Sequence, residues 1–321
     1  MNIKNVLFIS FIVLLLAGCA KDLFNDVDNN DDGEKYNPVP SFGLDSTFSV
    51  VTWNVEYFPK QGVHTINLMA EIIVDLNVYI FGLQEITSTS YFNQLIDKIN
   101  DLDSINQWIG FRAGSANEDY MELAYVINTS SVNIIDQPYS ILNEYYHYFA
   151  YRDPYVIKVS YLNNEFIIIN NHFKCCGNGG LEIDDGDEEY RRQQASILLK
   201  NYIDATFPND NVIIVGDMND KLDDAFDDNV FLNFIQDSTN YQFTDIDIAT
   251  GLSENYSWPG WNQDTYEAAH FDHILITNEL FYELNNVGSY VQTISLDEYL
   301  DTYYQYISDH RPVGLRLVID P

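Results

Sequence analysis

Residues 212–219, Val-Ile-Ile-Val-Gly-Asp-Met-Asn, constrain the fold more than any other stretch of the chain. Four consecutive β-branched or aliphatic residues predict a strand that is buried on both faces, and Gly216 permits a tight backbone conformation immediately after it. Asp217 and Asn219 lie two positions apart, so they point to the same side of an extended chain. Because a buried carboxylate is costly unless it is paired or metal-bound, this strand end indicates a functional site, with an ordinary polar turn as the alternative.

The same arrangement, an apolar strand with a polar end, recurs along the chain. The polar residues in question are Asn54, Glu85, His172, Asp272, Asp309 and His310. They end or begin predicted strands over 48–55, 78–83, 165–170, 271–277 and 313–319. A helix is predicted over 63–76, between the first two strands. The repetition favours a functional site over a series of unrelated turns.

Hydrophobic periodicity predicts the remaining elements. Helices are expected over 89–101, 188–205 and 227–237, and strands over 107–112, 121–128, 146–151 and 155–162. Arg152 lies between the last two of these strands. Its guanidinium matches the geometry of a phosphate group, so Arg152 is either a phosphate contact or a surface arginine without a ligand.

The N-terminus is typical of an export signal. Residues 1–18 contain a basic start and an apolar run, and Leu16-Ala17-Gly18-Cys19 resembles the bacterial lipoprotein signal, in which the cysteine receives lipid. An ordinary signal peptide is the alternative. Residues 19–47 are rich in Asp, Asn, Gly and Pro and are predicted to be a disordered tether. Residues 48–321 are then predicted to form one domain.

The charge of the chain limits its partners. Lys and Arg number 15 against 49 Asp and Glu, which gives a formal charge of −34. This charge repels polyanions and excludes a broad basic footprint for nucleic acid. It remains compatible with a phosphate substrate, since a bound divalent cation reverses the sign locally.

The strand-end residues supply the parts of a phosphate site. Glu85 and Asp309 are hard oxygen ligands of the kind that hold magnesium together with water and phosphate. The amides of Asn54 and Asn219 can bind phosphoryl oxygens without adding charge.

The histidines add proton transfer. His172 and His310 titrate near neutral pH, and a carboxylate such as Asp272 can fix a histidine tautomer and favour its charged form. Together with the acidic and amide residues, they indicate metal-assisted hydrolysis of a phosphate ester.

The sequence resembles the endonuclease/exonuclease/phosphatase superfamily, which has the deoxyribonuclease I-like fold. The motifs that carry the resemblance are Trp53-Asn54, Gln84-Glu85, Arg152-x-Pro154, Asn171-His172-Phe173, Gly216-Asp217-x-Asn219, Asp272-His273-Ile274 and Ser308-Asp309-His310-Arg311-Pro312. They occur in the family's order and span nearly the whole predicted domain. The resemblance implies an α+β fold, a four-layer αββα sandwich with its site at one end of two packed sheets.

The resemblance also implies a cofactor and its ligands. Asn54, Glu85 and Asp309 would hold Mg²⁺, with Mn²⁺ as a possible substitute. Asp217 and Asn219 would orient water and phosphate.

Further roles follow from the same resemblance. The Asp272–His310 pair would act at the phosphate, and His172 would assist the leaving group. Arg152 and Asn171 would contact the substrate together with Asn219. His172 matches the deoxyribonuclease I, sphingomyelinase and inositol-phosphatase branches of the family, whereas abasic-site nucleases typically carry a carboxylate in its place.

Three features have no counterpart in the shared pattern. Cys175 and Cys176 are predicted to form a vicinal disulfide, because export would place them in an oxidising compartment; no second cysteine pair supports a zinc site. The acidic run over 182–189 is predicted to be a solvated loop. Trp258 and Trp261 would stack on a base, dip into lipid or form a small local core.

Three functions remain open on these grounds. The first is an exported, membrane-tethered, metal-dependent nuclease, a monomer that takes nucleic acid as its phosphate-ester substrate. The second is a phospholipid or inositol-phosphate phosphoesterase, which the anchor and the acidity favour. The third, a binding module on an inactive scaffold, is disfavoured by the complete set of site residues. In each case the predicted location is the bacterial cell envelope, facing the periplasm or the cell surface.

Lipidation at Cys19 is directly testable. The Cys19→Ser variant should move from the membrane fraction to the soluble fraction, because the lipid is attached through a thioether and serine has no sulfur atom to form it. Fractionation followed by immunoblotting would measure this shift. A variant that stays in the membrane fraction would show that the signal has been misread.

Overall fold

The computed structural model describes residues 37–114, 120–260 and 267–320. The predicted signal peptide, Cys19 and most of the predicted tether lie outside these residues. Within the described ranges, no helix has both the length and the apolar character needed to cross a membrane.

Two six-stranded mixed sheets form the centre of the fold. The strands are β1 Phe48–Phe58, β2 Ile80–Ile86, β3 Trp108–Arg112, β4 Glu122–Asn128, β5 Asn133–Ser140, β6 Tyr155–Tyr161, β7 Asn164–His172, β8 Asn211–Asp217, β9 Tyr241–Phe243, β10 Asp272–Thr277, β11 Tyr290–Thr293 and β12 Val313–Leu317. The first sheet has the order β11-β12-β1-β2-β4-β3, and the second has the order β5-β6-β7-β8-β10-β9.

Helices cover the outer face of each sheet. The helices of the described residues are α1 Val63–Leu76, α2 Thr89–Leu102, α3 Glu188–Thr206, α4 Leu232–Ile235, α5 Ile246–Ala249, α6 Phe281–Leu284 and α7 Tyr303–Tyr306. The short helix α6 is different, because its Phe281 and Leu284 pack against the core between the sheets. A Cβ added at Gly110 of β3 would lie 2.6 Å from the Ile96 side chain, which shows how closely α2 packs on the first sheet. Leu199 and Ile203 of α3 share a buried cluster with Ile214 of the second sheet. The predicted αββα sandwich is confirmed.

Apolar side chains from both sheets fill the space between them. Phe48 of the first sheet stacks on Phe166 of the second, with ring centroids 4.1 Å apart. Two polar side chains in this layer form hydrogen bonds across it, which offsets part of the cost of burying them. Gln84 Nε2 donates to Asn170 Oδ1 at 2.7 Å, and the Tyr125 hydroxyl lies 2.9 Å from the Ile168 carbonyl oxygen. These bonds fix the relative positions of the two sheets near the ends of β2 and β7.

Strand register brings the polar strand ends to one edge. His172 pairs with Asp217 in the parallel β7–β8 ladder, and Asp217 pairs with Asp272 in the antiparallel β8–β10 ladder. Asn54 lies beside Gln84 in the parallel β1–β2 ladder of the other sheet. A Cβ at Gly216 would lie 2.3 Å from the Asn171 carbonyl oxygen, so the close approach of β7 and β8 requires glycine there.

Two predicted elements are wrong. Residues 146–151 form turns instead of a strand, and Ala150 and Tyr151 adopt φ angles of 53° and 67°. The strand lies earlier, in β5, which the sequence conceals because it is an exposed edge strand that contains Pro138. The helix predicted over 227–237 shrinks to α4, because Asn229 bonds the Leu222 carbonyl and the Phe231 amide and holds the chain in a turn.

The tether prediction is also wrong for residues 37–47. Val39 and Phe42 are buried, and the amides of Phe42 and Gly43 donate to the Leu76 carbonyl at 3.0 and 2.9 Å. The Phe42 ring lies against Gly314 of β12, where an added Cβ would be 2.6 Å away. Two apolar side chains in a polar stretch are therefore enough to attach it to the domain.

Substitutions in this segment test the attachment. Phe42→Ala should lower the free energy of unfolding by about 3 kcal/mol, because the ring is 5 % exposed and its removal leaves a cavity. Leu44→Ala is the matched control, since Leu44 is 42 % exposed, and should change stability by less than about 0.5 kcal/mol. Urea unfolding measures both values, and equal small effects would show that residues 37–47 do not pack on the domain.

Candidate active site

Asn54 and Glu85 come from neighbouring strands of the first sheet. Both strands are irregular here, and Glu56, Tyr57 and Glu85 have φ angles of 37°, 51° and 65°. Such irregularities re-aim side chains and are frequent at functional sites. Glu85 Oε2 accepts from the Tyr57 amide at 2.9 Å, and Asn54 Nδ2 donates to Glu85 Oε1 at 3.2 Å. The strained backbone therefore holds the Glu85 carboxylate at the edge of the sheet.

Asp217 connects the two sheets at this edge. Its Oδ2 accepts from Asn54 Nδ2 at 2.8 Å, and its Oδ1 accepts from the Asn219 amide at 3.0 Å. Burial raises the pKa of Asp217 to about 7, against the opposing effect of the His310 charge. Asn219, which has a φ of 53°, donates its side-chain amide to the Phe173 carbonyl at 3.2 Å. Asp217 is thus a fully buried carboxyl with a pKa close to neutral pH.

His310 lies between two buried carboxyl groups. Its Nδ1 is 2.7 Å from Asp272 Oδ2, and its Nε2 is 3.8 Å from Asp217 Oδ2. Burial alone would lower the pKa of His310, but Asp272 and then Asp217 raise it well above the ordinary value. Ser308 fixes the loop, because its hydroxyl donates to the Asn54 carbonyl and accepts from the His310 amide. The pairing of His310 with Asp272 agrees with the geometry expected from the sequence.

Asp309 completes the mouth of the site. Its Oδ2 accepts from Trp258 Nε1 at 3.2 Å, and its Oδ1 is 3.9 Å from His310 Nε2. Trp258 is half-buried and orients Asp309 through its indole N–H. Base stacking, lipid contact and a small local core remain predictions for this residue. Trp261 lies outside the described residues. No local pattern in the sequence links Asp309 to an indole 51 positions away.

The acidic groups at the mouth suit a divalent cation. Glu85 and Asp309 side chains are 14 % and 29 % exposed, which leaves room for the waters and phosphate oxygens that magnesium keeps. Burial, followed by the Asp309 charge, raises the pKa of neighbouring Glu56. A bound cation would relieve this repulsion. Asn54 fits less well, because its Oδ1 accepts from the Glu56 amide at 3.0 Å and its nitrogen faces the carboxylates; in this orientation it positions Glu85.

His172 is buried beside the same carboxylates. Its Nε2 is 3.5 Å from Asp217 Oδ2 and 4.0 Å from Glu85 Oε1. Burial lowers the pKa of His172 well below the ordinary value, and the charges of Arg152, His310 and Lys174 act in the same direction. A neutral imidazole carries one N–H, so His172 can serve as a hydrogen-bond donor at neutral pH.

Arg152 and Asn171 are not placed at the mouth. Arg152 is buried, and its Nη2 lies 3.4 Å from the Phe173 carbonyl oxygen, so it is not a surface arginine. Asn171 Nδ2 donates to the Ile169 carbonyl at 3.0 Å inside the second sheet. Arg152 acts on His172 through its charge, and Asn171 supports the strand end. The geometry does not favour either as a phosphate contact.

The cysteine pair lies in the loop that follows His172. Cys175 and Cys176 are free thiols with their sulfur atoms 3.0 Å apart, well beyond the bond length of about 2.05 Å. The predicted vicinal disulfide is therefore not formed in this structure. Within the predicted acidic loop, Glu189 is the exception to solvation: it is buried 3.4 Å from Arg192.

The pH dependence of the free energy of unfolding reports the charge state of His310. Because His310 has a raised pKa in the folded protein, its contribution is complete below its unfolded pKa of about 6.5 and is lost as the pH rises through the folded value. The comparison is made in EDTA between Asp217→Asn and Asp217→Asn/His310→Gln, so that Asp217 does not titrate. The difference in unfolding free energy should shrink above pH 6.5, by up to about 1.4 kcal/mol per pH unit. A difference that stays constant from pH 6 to 9 would contradict a charged His310.

Solved structures of other proteins share the fold of this chain. The chain has the fold of D. rerio TDP2 in complex with a single-strand DNA product, with a TM-score of 0.60 and 14% identity over 85% of this chain and 99% of that one. A humanised D. rerio TDP2 with 14 mutations gives a TM-score of 0.61 and 13% identity over the same shares. An endonuclease/exonuclease/phosphatase from Bacteroides vulgatus gives 0.56 and 15%, again over 85% and 99%.

Sequence comparison identifies the family. A search against curated proteins gave no significant match. The family model described as the Endonuclease/Exonuclease/phosphatase family matches residues 51–310, which include every strand-end residue of the site. The chain therefore belongs to the Endonuclease/Exonuclease/phosphatase family.

Proposed function

We propose that this phosphoesterase is a metal-dependent nuclease that hydrolyses phosphodiester bonds. One observation carries the proposal: the His310–Asp272 pair and Asp217 adjoin two partly exposed carboxylates, Glu85 and Asp309. A charged imidazole, a carboxyl with a pKa near 7 and a cation site are the three parts that hydrolysis of a phosphate ester requires.

Glu85 and Asp309 would hold a divalent cation, with Asn54 orienting Glu85. When bound, Mg²⁺ or Mn²⁺ neutralises phosphate charge and polarises the phosphoryl group. Its presence would also reverse the local sign of a strongly acidic protein, so that an anionic substrate can approach.

The protein residues divide the proton transfers. Asp217, with a pKa of about 7, accepts a proton from the attacking water, and Asn219 orients that water or the phosphate. His310 donates a hydrogen bond to a phosphoryl oxygen through Nε2, while Asp272 fixes its ring through Nδ1. His172, as a neutral imidazole, donates one hydrogen bond to the leaving oxygen. The leaving oxygen takes its proton from solvent water, and Asp217 later releases the proton that it accepted to solvent.

An aromatic side chain at the mouth favours nucleic acid. Tyr57 is 61 % exposed, and its amide is bonded to Glu85. A base that stacks on an exposed ring gains about 1–3 kcal/mol. The D. rerio TDP2 structure was determined with a single-strand DNA product, which is a property of that protein but is compatible with this arrangement.

A phospholipid or inositol-phosphate phosphoesterase is the second candidate. The Leu16-Ala17-Gly18-Cys19 signature supports an exported, lipid-anchored protein of the cell envelope, which would place the site beside phospholipid headgroups. Under either assignment we propose a monomer tethered to the membrane through Cys19.

Metal dependence tests the proposal. Single-stranded and plasmid DNA, RNA, sphingomyelin and inositol phosphates are incubated with the protein in EDTA and after addition of Mg²⁺ or Mn²⁺. Hydrolysis of DNA or RNA should stop in EDTA and return with the cation. Glu85→Gln should raise the Mg²⁺ concentration needed for half-maximal rate, because it removes a negative ligand, whereas the exposed Glu165→Gln should not. Full activity in EDTA would contradict the assignment, and hydrolysis of the lipid or inositol substrates alone would select the second candidate.

A double-mutant cycle tests the catalytic pair. His310→Ala should lower kcat by at least about 10²–10⁴-fold, because it removes both a hydrogen-bond donor and a positive charge at the phosphate. Asp272→Asn acts through the same ring, so the double variant should be little slower than His310→Ala. Additive losses in kcat would show that the two residues act independently.

A further inference from the structure

A second group of buried titratable side chains lies outside the catalytic residues. Asp245 precedes α5, and its Oδ2 is 3.0 Å from His270 Nε2 and 2.6 Å from His273 Nδ1. Its Oδ1 accepts from the Ile274 amide at 3.0 Å. Each of the three side chains is at most 2 % exposed. Because burying three polar side chains is costly, each of them needs hydrogen-bond partners.

The proton positions in this group follow from its hydrogen bonds. His270 Nδ1 accepts from the Ser257 amide at 3.1 Å, so the ring proton is on Nε2 and points to Asp245. His273 Nε2 donates to the Asp220 carbonyl at 2.9 Å while Nδ1 faces the Asp245 carboxylate. Both nitrogens of His273 therefore carry protons. Although burial opposes both shifts, the pairing lowers the pKa of Asp245 and raises that of His273.

The same bonds argue against a metal ion in this cluster. The three ligand atoms lie within 4.8 Å of one another, as a metal site would require. A metal on His270 Nε2 would move the ring proton to Nδ1. That proton would then face the Ser257 N–H, and two donors would oppose each other. Hydrogen bonds from the two histidines to Asp245 therefore hold the cluster together, without a metal ion.

One arm of the cluster reaches the catalytic pair through Ser257. The Ser257 hydroxyl oxygen accepts from the Asp272 amide at 3.1 Å, and the Ser257 carbonyl accepts from the Arg311 amide at 2.7 Å. Ser257 therefore contacts the residue that holds the His310 ring and the residue next to His310. His270 fixes Ser257 through its amide.

The other arm reaches the turn that follows Asp217. His273 holds the Asp220 carbonyl, and the Asp220 side chain is 2.6 Å from Arg192 Nε. Arg192 in turn donates to the Lys174 and Cys176 carbonyls in the loop after His172. The arm thus ties the end of β8 to the end of β7.

We propose that Asp245 is a positioning residue that acts through His270 and Ser257 on the Asp272–His310 pair and through His273 on the turn after Asp217. Asp217 and Asp272 are paired across β8 and β10 and bring like charges together, so His310 can serve both only within a narrow range of distances. These two arms, from Asp245 through His270 and Ser257 and from Asp245 through His273, are called the relay below. The relay fixes the distance between Asp217 and Asp272 from outside the site. This inference rests on the proposed hydrolysis.

Asp245→Asn is the principal test, with Asp247→Asn as the matched control on the exposed face of α5. Asp245→Asn should lower kcat by about 10–100-fold with KM within twofold, because a displacement on the order of 1 Å misplaces the reacting groups. Asp247→Asn should leave both constants unchanged. Equal kcat in the wild type and in a folded Asp245→Asn variant would overturn the proposal.

Two substitutions of His270 separate positioning from folding. In His270→Gln the amide nitrogen can replace Nε2 toward Asp245, and in His270→Asn the amide oxygen can replace Nδ1 toward Ser257. His270→Asn should keep more kcat than His270→Gln, because it keeps the bond that reaches Asp272; a purely structural role predicts losses that follow stability in urea instead. The opposite order at equal stability would contradict the relay.

A readout that does not need activity keeps this inference distinct from the proposed function. In ¹⁵N-histidine spectra of the protein in EDTA, Asp245→Asn should shift the His310 ring signals and Asp247→Asn should not. If no phosphate ester is hydrolysed, the proposed function fails and these spectra alone decide the relay. Unshifted His310 signals would overturn the inference. It would also be overturned if the wild type bound one equivalent of metal and the Asp245→Asn variant did not.

Discussion

The rest of the site depends on two fully buried carboxyl groups. Asp217 and Asp272 lie opposite each other on neighbouring strands. Like charges opposite each other in a sheet destabilise it, and a buried carboxylate is costly by itself. His310 resolves both problems, since one ring nitrogen meets Asp272 and the other faces Asp217. A charged His310 between the two carboxyl groups therefore offsets both the cost of their burial and their mutual repulsion.

The fold supplies this arrangement from both sheets. The parallel β7–β8 pair places His172 beside Asp217, while irregularities in β1 and β2 turn Asn54 and Glu85 toward the same edge. Asn54 Nδ2 bonds Glu85 in one sheet and Asp217 in the other. The catalytic groups are thus divided between two rigid layers, and the cross-sheet bonds of Gln84 and Tyr125 prevent those layers from sliding.

Much of this could be predicted from the sequence. Apolar runs with polar ends identified β1, β2, β7, β8, β10 and β12, because a strand buried on both faces must exclude polar residues until it ends. The Asp272–His310 pair was predicted by resemblance to the family, and the structure brings the two side chains together. The same reasoning could not show that Asn54 presents its nitrogen to the carboxylates, since the choice depends on the Glu56 amide.

The misses share a physical cause, which is dependence on distant partners. Residues 37–47 look disordered until Phe42 meets β12, and β5 looks polar because it is an exposed edge. Trp258 and Asp309 are 51 positions apart, and Asp245 and His270 are 25 apart, so no local pattern joins them. The sequence left Arg152 as a phosphate contact or a surface arginine, whereas its guanidinium is buried and lies 3.4 Å from the Phe173 carbonyl oxygen.

The ring of His310 gives the most direct measurement of the central claim, which is that two buried carboxyl groups keep this histidine charged. ¹⁵N-histidine spectra of the protein in EDTA at pH 7.5 report the protonation of each ring nitrogen. The account predicts that both nitrogens of His310 carry protons in the wild type and that Asp272→Asn makes the ring neutral. A neutral His310 ring in the wild type would contradict it.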